Sequence, residues 1–200
     1  FDLFHSGKKQ KSAREMDKET IDRVVLGLKT LVKRSEGLKD FIHNYESFNS
    51  MGEAQYSTFS LDDLINRVIS LLEDELNRKG VAIDIRVSPA GLQLNADEKL
   101  IEQTLINLLK NSIFALEKKS DPVIQISARQ SDKQILLEIS DNGKGIPKEI
   151  WESIFTPFFT TRKDVSGIGL SLSRQILRLH GGTITAQSIP GKETIFTMTF

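Results

Sequence analysis

The sequence of residues 135–145 is Ile-Leu-Leu-Glu-Ile-Ser-Asp-Asn-Gly-Lys-Gly, an alternating strand pattern that runs directly into a carboxylate and two glycines. A second glycine pair, Gly167 and Gly169, opens an apolar helical pattern further along the chain. Glycines admit a ligand close to the backbone, and a helix N-terminus offers free N–H groups and a positive dipole end to phosphates. Together the two clusters predict a pocket for a nucleotide.

Composition limits what kind of chain carries this pocket. The 200 residues are 38% hydrophobic and 27% charged, which suits one packed domain with an appended element. The formal net charge is zero, so a broad electrostatic footprint for nucleic acid or anionic lipid is not indicated. Cysteine is absent, which excludes disulfides and thiolate metal sites. Any phosphate recognition must therefore be local.

The sequence shows neither a membrane span nor a signal peptide. No apolar run reaches the roughly 18 residues of a membrane helix, and residues 1–10 lack an apolar core. We therefore expect no membrane contact within this chain and a cytoplasmic location. Because the sequence starts at Phe1 and not at a methionine, we also expect a longer parent protein, with a possible anchor in the inner membrane.

Heptad spacing of apolar residues predicts a long helix over Ile21–Phe48. Such a stripe is typical of an intersubunit or hairpin helix, and it predicts a homodimer through this segment; a helix packed only on its own domain is the alternative. The polar stretch 49–57 interrupts the pattern and places a domain boundary there, with domains at 1–56 and 57–200. The heptad positions are Ile21, Val24, Leu28, Leu31, Ser35, Leu38, Ile42 and Tyr45, flanked by Val25, Val32, Phe41 and Phe48.

Periodicity in the second domain predicts alternating helices and strands. A helical stripe begins at Leu61 and should stop at Gly80, and a second helix should begin at Asp97. We predict an α+β fold, a two-layer sandwich with helices on one face of a mixed sheet. The other predicted elements are strands over Val81–Val87, 123–129 and 134–140, a helix over Gly169–Leu179, and two closing strands.

Two asparagines, Asn107 and Asn111, are four residues apart on the predicted helix. At that spacing both amides should project from one exposed face, away from the apolar stripe. An amide oxygen is a hard neutral ligand that suits Mg²⁺, which takes its other oxygens from water and nucleotide phosphates. Two solvated asparagines are the alternative interpretation.

Asp141 follows the strand end of the opening stretch. Its carboxylate can accept a hydrogen bond from an exocyclic amine such as that of adenine, although Asp-Asn-Gly-Lys-Gly is also a good turn sequence. Gly143 and Gly145 should allow the base to lie on bare backbone.

Residues 154–163 form an aromatic run that becomes hydroxylic and basic, which is typical of a mobile lid. Its three phenylalanines should anchor the segment on apolar surface, while Thr160, Thr161, Arg162 and Lys163 reach terminal phosphate oxygens. A core-forming loop with a charged tip is the alternative. His180, at a helix end, is predicted to satisfy terminal carbonyls.

The order of these motifs resembles that of sensor histidine kinases, over about Phe59 to Phe200. The four blocks correspond to the family's N, G1, F and G2 boxes, and Gly191 to Phe196 is similar to its closing element. The resemblance implies the ATP-binding catalytic domain of the GHKL, or Bergerat, fold and is strongest to the NtrY-like branch. The matching residues are Glu102-Gln103-x-Leu105-x-Asn107-Leu108-Leu109-x-Asn111, Asp141-x-Gly143-x-Gly145, Phe155-x-Pro157-Phe158-Phe159 and Gly167-x-Gly169-Leu170.

The resemblance also implies roles for individual residues. Asn111 would be the main magnesium ligand with Asn107 in support, and Asp141 would bind adenine. Asn107, Arg162 and Lys163 form the implied catalytic set, with a cation at the terminal phosphate. Family members that hydrolyse ATP carry a glutamate at the position of Asn107. The absence of that glutamate here implies phosphoryl transfer and not hydrolysis. The implied nucleotide site further includes Gly143, Gly145, Ile146, Phe155, Thr160, Thr161, Gly167, Ile168, Gly169, Leu170, Ser171 and Thr194.

The chain departs from the family in its histidines. The family's phosphoacceptor histidine precedes an acidic residue, whereas His5 precedes Ser6 and His43 precedes Asn44. We therefore expect the acceptor helix to lie upstream of Phe1, and the chain to bind ATP without autophosphorylation.

Three functions remain open from the sequence. The first is a histidine kinase catalytic part that uses Mg-ATP and passes the phosphoryl group to a response regulator receiver domain. The second is a nucleotide-gated dimer switch without phosphotransfer. The third is a serine kinase of the anti-sigma type on the same fold.

Overall fold

The computed structural model describes residues 20–29, 32, 35, 54–132, 134–162 and 165–200. Residues 20–29 are helical and present several large apolar side chains to solvent, including Ile21, Val24 and Leu28. The rest of the predicted helix Ile21–Phe48, apart from residues 32 and 35, lies outside the described residues.

The second domain alternates helices and strands as its periodicity predicts. Among the described residues the elements are β1 (Ser57–Ser60), α1 (Leu61–Arg78), β2 (Ala82–Ser88), β3 (Gln93–Ala96), α2 (Glu98–Ala115), β4 (Val123–Ser131), β5 (Gln134–Asp141), a 3-10 helix (Lys148–Ser153), α3 (Gly169–Leu179), β6 (Thr183–Ile189) and β7 (Glu193–Thr199).

Five strands form one mixed sheet in the order β2-β4-β5-β7-β6. β2 and β4 are parallel, and the other neighbours are antiparallel. The apolar faces of the three helices pack on one side of this sheet, and the two layers share one core. The predicted α+β sandwich with a mixed sheet is confirmed. A separate antiparallel pair, β1 with β3, was not predicted.

Local capping explains where the helices begin and end. Ser60 accepts a hydrogen bond from the Asp63 N–H at 3.3 Å, and α1 stops where Gly80 adopts a φ of 64°. Asp97 caps α2 through Oδ1, which accepts the Leu100 N–H at 3.3 Å. The predicted stop at Gly80 and start at Asp97 are both confirmed.

Strand alternation determines which side chains reach the core side of the sheet. In β5, Leu137 and Ile139 are fully buried, and Asp141 continues the same face at the strand end. In β7, Phe196 and Met198 share that face with Thr194. The apolar residues hold the strands against the helices. The same period places one carboxylate and one hydroxyl at the edge of the core.

His180 ends α3 and joins it to the start of α2. One ring nitrogen, Nδ1, lies 2.8 Å from the Ile176 carbonyl oxygen, and the other, Nε2, accepts the Asp97 N–H at 2.9 Å. These contacts fit a ring in which Nδ1 donates and Nε2 accepts. The structural role predicted for His180 is confirmed, and the ring also lies 5.3 Å from that of Tyr56.

Within the part of the chain that the structure describes, no helix combines the length and the apolar character needed to cross a membrane.

Candidate functional site

Asp141 lies at the C-terminal end of β5 and is only 2% exposed. Its Oδ2 accepts a hydrogen bond from the Ser112 hydroxyl and its Oδ1 accepts one from the Gly143 N–H, each at 3.0 Å. Burial raises the pKa of Asp141 to about 6, although both hydrogen bonds act in the opposite direction. The carboxylate is thus held in place, and its charge is only partly compensated by the protein.

The loop after Asp141 is fitted against protein backbone on two sides. A Cβ on Gly143 would lie 2.8 Å from the Ala115 carbonyl oxygen, and one on Gly145 would lie 2.8 Å from the Pro190 Cα. Gly145 also has a φ of 67°. The missing side chains therefore leave room for the protein itself. The expectation that they also let a base lie on bare backbone stays a prediction.

Thr194 is brought to Asp141 by the sheet. The two residues are direct partners in the antiparallel pairing of β5 with β7, and Thr194 is 3% exposed. Its Oγ1 lies 3.1 Å from the Ser188 hydroxyl, which also accepts the Ile146 N–H at 2.9 Å. Thr194 and Ile146, two predicted site residues, are therefore connected to the Asp141 end of the pocket through Ser188.

The two asparagines of α2 differ in their surroundings. Asn107 is half-buried because α3 packs over it, and its Nδ2 donates to the Ser173 hydroxyl at 2.8 Å. A Cβ on Gly169 would overlap Asn107 Oδ1. The expectation of two amides projecting from one exposed face is therefore wrong for Asn107. Asn111 is half-buried as well, and none of the described residues hydrogen-bonds its amide.

The predicted lid is anchored differently from our expectation. Ile154 is buried, and Phe155 packs against the core with the Arg174 guanidinium carbon 5.1 Å from its ring centre. Phe158, in contrast, is 50% exposed and has a φ of 65°, so its ring is not buried in the core. The reason is Gly167, whose missing Cβ would lie 2.7 Å from the Phe158 carbonyl carbon. That packing fixes the backbone at Phe158 and directs its ring outward.

The hydroxylic and basic part of the lid is only partly described. Thr160 Oγ1 accepts the Arg162 N–H at 3.0 Å, so this hydroxyl stabilises a local turn, while Thr161 is exposed. The Arg162 guanidinium carbon lies 4.0 Å from the centre of the Phe114 ring. Lys163 lies outside the described residues.

The start of α3 presents backbone N–H groups to which none of the described residues is hydrogen-bonded. The first helical hydrogen bond runs from the Leu172 N–H to the Ile168 carbonyl at 2.9 Å, so the N–H groups of Gly169, Leu170 and Ser171 precede it. The Ser171 hydroxyl turns back to the Ile168 carbonyl at 2.7 Å and caps none of them. This helix end can therefore accept an anion through its backbone.

Sequence patterns missed several residues of this pocket, namely Ser112, Ser173, Ser188, Phe114 and Lys144. The signal for Ser112 was its place directly after Asn111, one turn of α2 beyond Leu108. Phe114 follows Asn111 by one helical turn and Lys144 stands between Gly143 and Gly145, whereas Ser173 and Ser188 carry no comparable signal.

A buried carboxylate at a strand end, a helix that bears two asparagine amides and a helix start with available N–H groups are expected of an ATP-binding domain, and comparison with known proteins agrees. The profile of the family described as Histidine kinase-, DNA gyrase B-, and HSP90-like ATPase matches residues 96–200. The chain belongs to this family. Its relatives identify the domain as the ATP-binding catalytic part of a sensor histidine kinase, which confirms the resemblance. The NtrY-like branch stays a prediction.

One curated relative and two solved structures of another kinase illustrate the match. Sensor histidine kinase ZraS of Klebsiella oxytoca is 32% identical over 144 residues, covering 72% of this chain and 31% of ZraS. The catalytic domain of histidine kinase ThkA superposes with a TM-score of 0.67 at 30% identity, covering 73% of this chain and 95% of that domain. The structure of ThkA in complex with response regulator protein TrrA superposes with a TM-score of 0.69 at 27% identity, covering 94% of this chain and 53% of that chain. The chain spans about a third of the length of curated relatives such as ZraS.

Proposed function

We propose that this chain binds Mg-ATP and transfers its γ-phosphoryl group to a histidine on a separate helical segment, from which it passes to a receiver-domain aspartate. The observation that carries the proposal is the buried Asp141 carboxylate beside Thr194. The division into domains 1–56 and 57–200 and the cytoplasmic location belong to the same proposal.

Asp141 suits an adenine amine. An ionised carboxylate has about four acceptor sites, and described residues occupy two of them. Because burial raises its pKa to about 6, a further donor would stabilise the charged form. An exocyclic amine would supply that donor, and the neighbouring Thr194 hydroxyl would offer a second polar contact to the purine.

Asn111 suits magnesium. Its amide oxygen is a hard ligand that no described residue occupies, and it lies on the same helix face as Asn107. Bound Mg²⁺ would neutralise charge on the phosphates. Asn107 holds α3 through Ser173, so its supporting role would be to fix the phosphate-facing helix end relative to Asn111. An amide at this position cannot take a proton from water, which favours transfer over hydrolysis.

The remaining phosphate contacts would come from α3 and the lid. The free N–H groups of Gly169, Leu170 and Ser171 would bind phosphate oxygens, and Arg162 and Lys163 would meet the terminal phosphate. The nucleophile would come from the separate helical segment, so the domain would act by positioning and charge neutralisation.

The helical segment suits a dimer interface and a receiver partner. The large apolar residues from Ile21 to Leu28 are each between 42% and 66% exposed. A contiguous exposed apolar surface of this kind is typical of a protein–protein interface. The ThkA structure contains a response regulator, and we infer the same class of partner here.

Phosphotransfer in trans tests the proposal. The chain, a histidine-bearing hairpin from a sensor histidine kinase and γ-labelled ATP with Mg²⁺ should give a labelled hairpin, and the label should be lost in acid as expected for phosphohistidine. Asp141→Asn should abolish labelling, whereas Asp74→Asn, at an exposed position on α1, should not. Saturable ATP binding without labelling would favour the nucleotide-gated switch. An acid-stable label would favour a serine kinase.

A further inference from the structure

Phe114 lies at the meeting point of three segments of the pocket. It follows Asn111 by one turn of α2, so Asn107, Asn111 and Phe114 share a helix face. The Lys144 Nζ lies 4.2 Å from the centre of its ring, and the Arg162 guanidinium carbon lies 4.0 Å from the same point. One cation comes from the loop after Asp141 and the other from the lid.

Both cationic residues are held by their backbones. The Lys144 N–H donates to the Ala115 carbonyl at 3.1 Å, and the Lys144 carbonyl accepts the Gly191 N–H at 2.7 Å. The Arg162 N–H donates to Thr160 Oγ1 at 3.0 Å. The contacts with the Phe114 ring place both charged ends beside α2.

Two positive charges at one ring repel each other, and the electron-rich ring face offsets part of that repulsion. Lys144 forms no salt bridge with a described residue, and the protein as a whole carries no net charge. The charge of Lys144 is therefore available to an anion. The proposed anion is the phosphate chain beside Asn111, which lies one turn before Phe114 on α2.

We propose that Phe114 is a positioning residue that holds Lys144 and Arg162 as a cation pair for the terminal phosphate, and thereby makes the pocket prefer ATP over ADP. The inference rests on the nucleotide site proposed above. Lys144 becomes an additional binding residue, and Phe114 acts only through the two cations.

Substitutions that separate the ring's shape from its electron density test this role. Phe114→Leu keeps an apolar side chain without an aromatic face, and Phe114→Tyr keeps the face. Affinities for ATP and ADP are measured by calorimetry with Mg²⁺, after circular dichroism shows that each variant is folded. We expect Phe114→Leu to weaken ATP binding about tenfold and ADP binding less than about twofold, and Phe114→Tyr to stay within about twofold of the original for both.

A second variant tests the cation that Phe114 is proposed to hold. Lys144→Met should lower the preference for ATP by a similar factor, and combining it with Phe114→Leu should add little further loss, because both remove the same contact. Equal weakening of ATP and ADP by Phe114→Leu would assign the ring to packing alone and overturn the inference.

The affinities of the unmodified chain for ATP and ADP distinguish failure of this inference from failure of the proposed function. Equal affinity of the unmodified chain for ATP and ADP would overturn the inference and leave the proposed function standing. Failure to bind either nucleotide would remove the proposed function, and the inference with it.

Discussion

The Asn107 side chain donates a hydrogen bond from Nδ2 to the Ser173 hydroxyl, 2.8 Å away across the interface between α2 and α3. Ser173 is 1% exposed, and Asn107 Oδ1 fills the space where a Cβ on Gly169 would lie. One amide therefore sets both the spacing of two helices and the position of the start of α3.

Ser173→Ala should destabilise the folded protein. The substitution leaves the half-buried Asn107 donor without its partner, and loss of one partner of a buried hydrogen bond costs about 1–3 kcal/mol. Urea unfolding measures the change. Ser70→Ala, at an exposed position on α1, is the control and should change the free energy of unfolding by less than about 0.5 kcal/mol. Equal effects of the two variants would show that the interhelix bond contributes nothing.

Gly169→Ala should lower the free energy of unfolding through its contact with Asn107. The added methyl group would overlap Asn107 Oδ1, and overpacking of this kind costs about 1–3 kcal/mol. The double variant with Asn107→Ala should be more stable than the sum of the two single effects predicts, because removing the amide relieves the overlap. Gly27→Ala is the control, since a Cβ there has nothing within 4 Å and the backbone is helical. Simple additivity in urea unfolding would contradict the assigned contact.

Period and capping explain why so much of the fold could be predicted. Helical stripes and strand alternation last over many residues in α1, α2, β4 and β5. Gly80 follows the end of α1 and Asp97 precedes the start of α2, and both are residue types that are typical of those positions. Asp141 was predictable because a strand pattern runs directly into it. The β1–β3 pair was not, because four residues per strand are too few to show a period.

The hydroxyl network could not be predicted because its members are separated along the chain. Ser112, Ser173 and Ser188 each stand alone in sequence, and only packing brings them to Asp141, Asn107 and Thr194. Phe158 was predicted wrongly for a related reason. Its outward direction follows from backbone contact with Gly167, which no local pattern reveals.

Asp141 should make the stability of the nucleotide-free protein depend on pH. Its pKa rises from 3.8 to about 6 on burial, so the folded state binds more protons than the unfolded state between these values. The contribution of Asp141 to stability is therefore fully present below pH 3.8 and is lost as the pH rises through about 6. Relative to Asp141→Asn, which cannot titrate, the original protein should lose about 2–3 kcal/mol between pH 4 and pH 7. Urea unfolding of both proteins at several pH values measures this, and a constant difference would contradict it.

Nucleoside binding should depend on pH in the opposite direction. An adenine amine bonds best to the ionised carboxylate, so affinity should be constant above about pH 7 and fall as the pH drops below the Asp141 pKa of about 6. Adenosine is the suitable ligand, since it carries no phosphate that titrates near pH 6. Asp141→Asn should bind adenosine weakly and without this step. A step of equal size in the Asn variant would assign the titration to another group.

Gly167 and Gly181 form a matched pair that separates backbone strain from lid packing. Both have positive φ, 74° and 70°, so alanine is strained at either position by about 1–2 kcal/mol. Only Gly167 has neighbours, because a Cβ there would lie 2.7 Å from both the Phe158 carbonyl carbon and the Phe159 carbonyl oxygen, whereas nothing lies within 4 Å at Gly181.

Gly167→Ala should therefore weaken ATP binding more than Gly181→Ala does. Backbone atoms cannot rotate away as a flexible side chain could, so the added methyl group must displace the segment that carries Arg162. We expect Gly167→Ala to weaken ATP binding about tenfold or more, as loss of a charge-assisted phosphate contact would, and Gly181→Ala to leave it within about twofold. Calorimetry with Mg-ATP measures both. If the two variants lose stability equally and neither loses affinity, the lid is not held against the start of α3, and Arg162 must be positioned by other contacts.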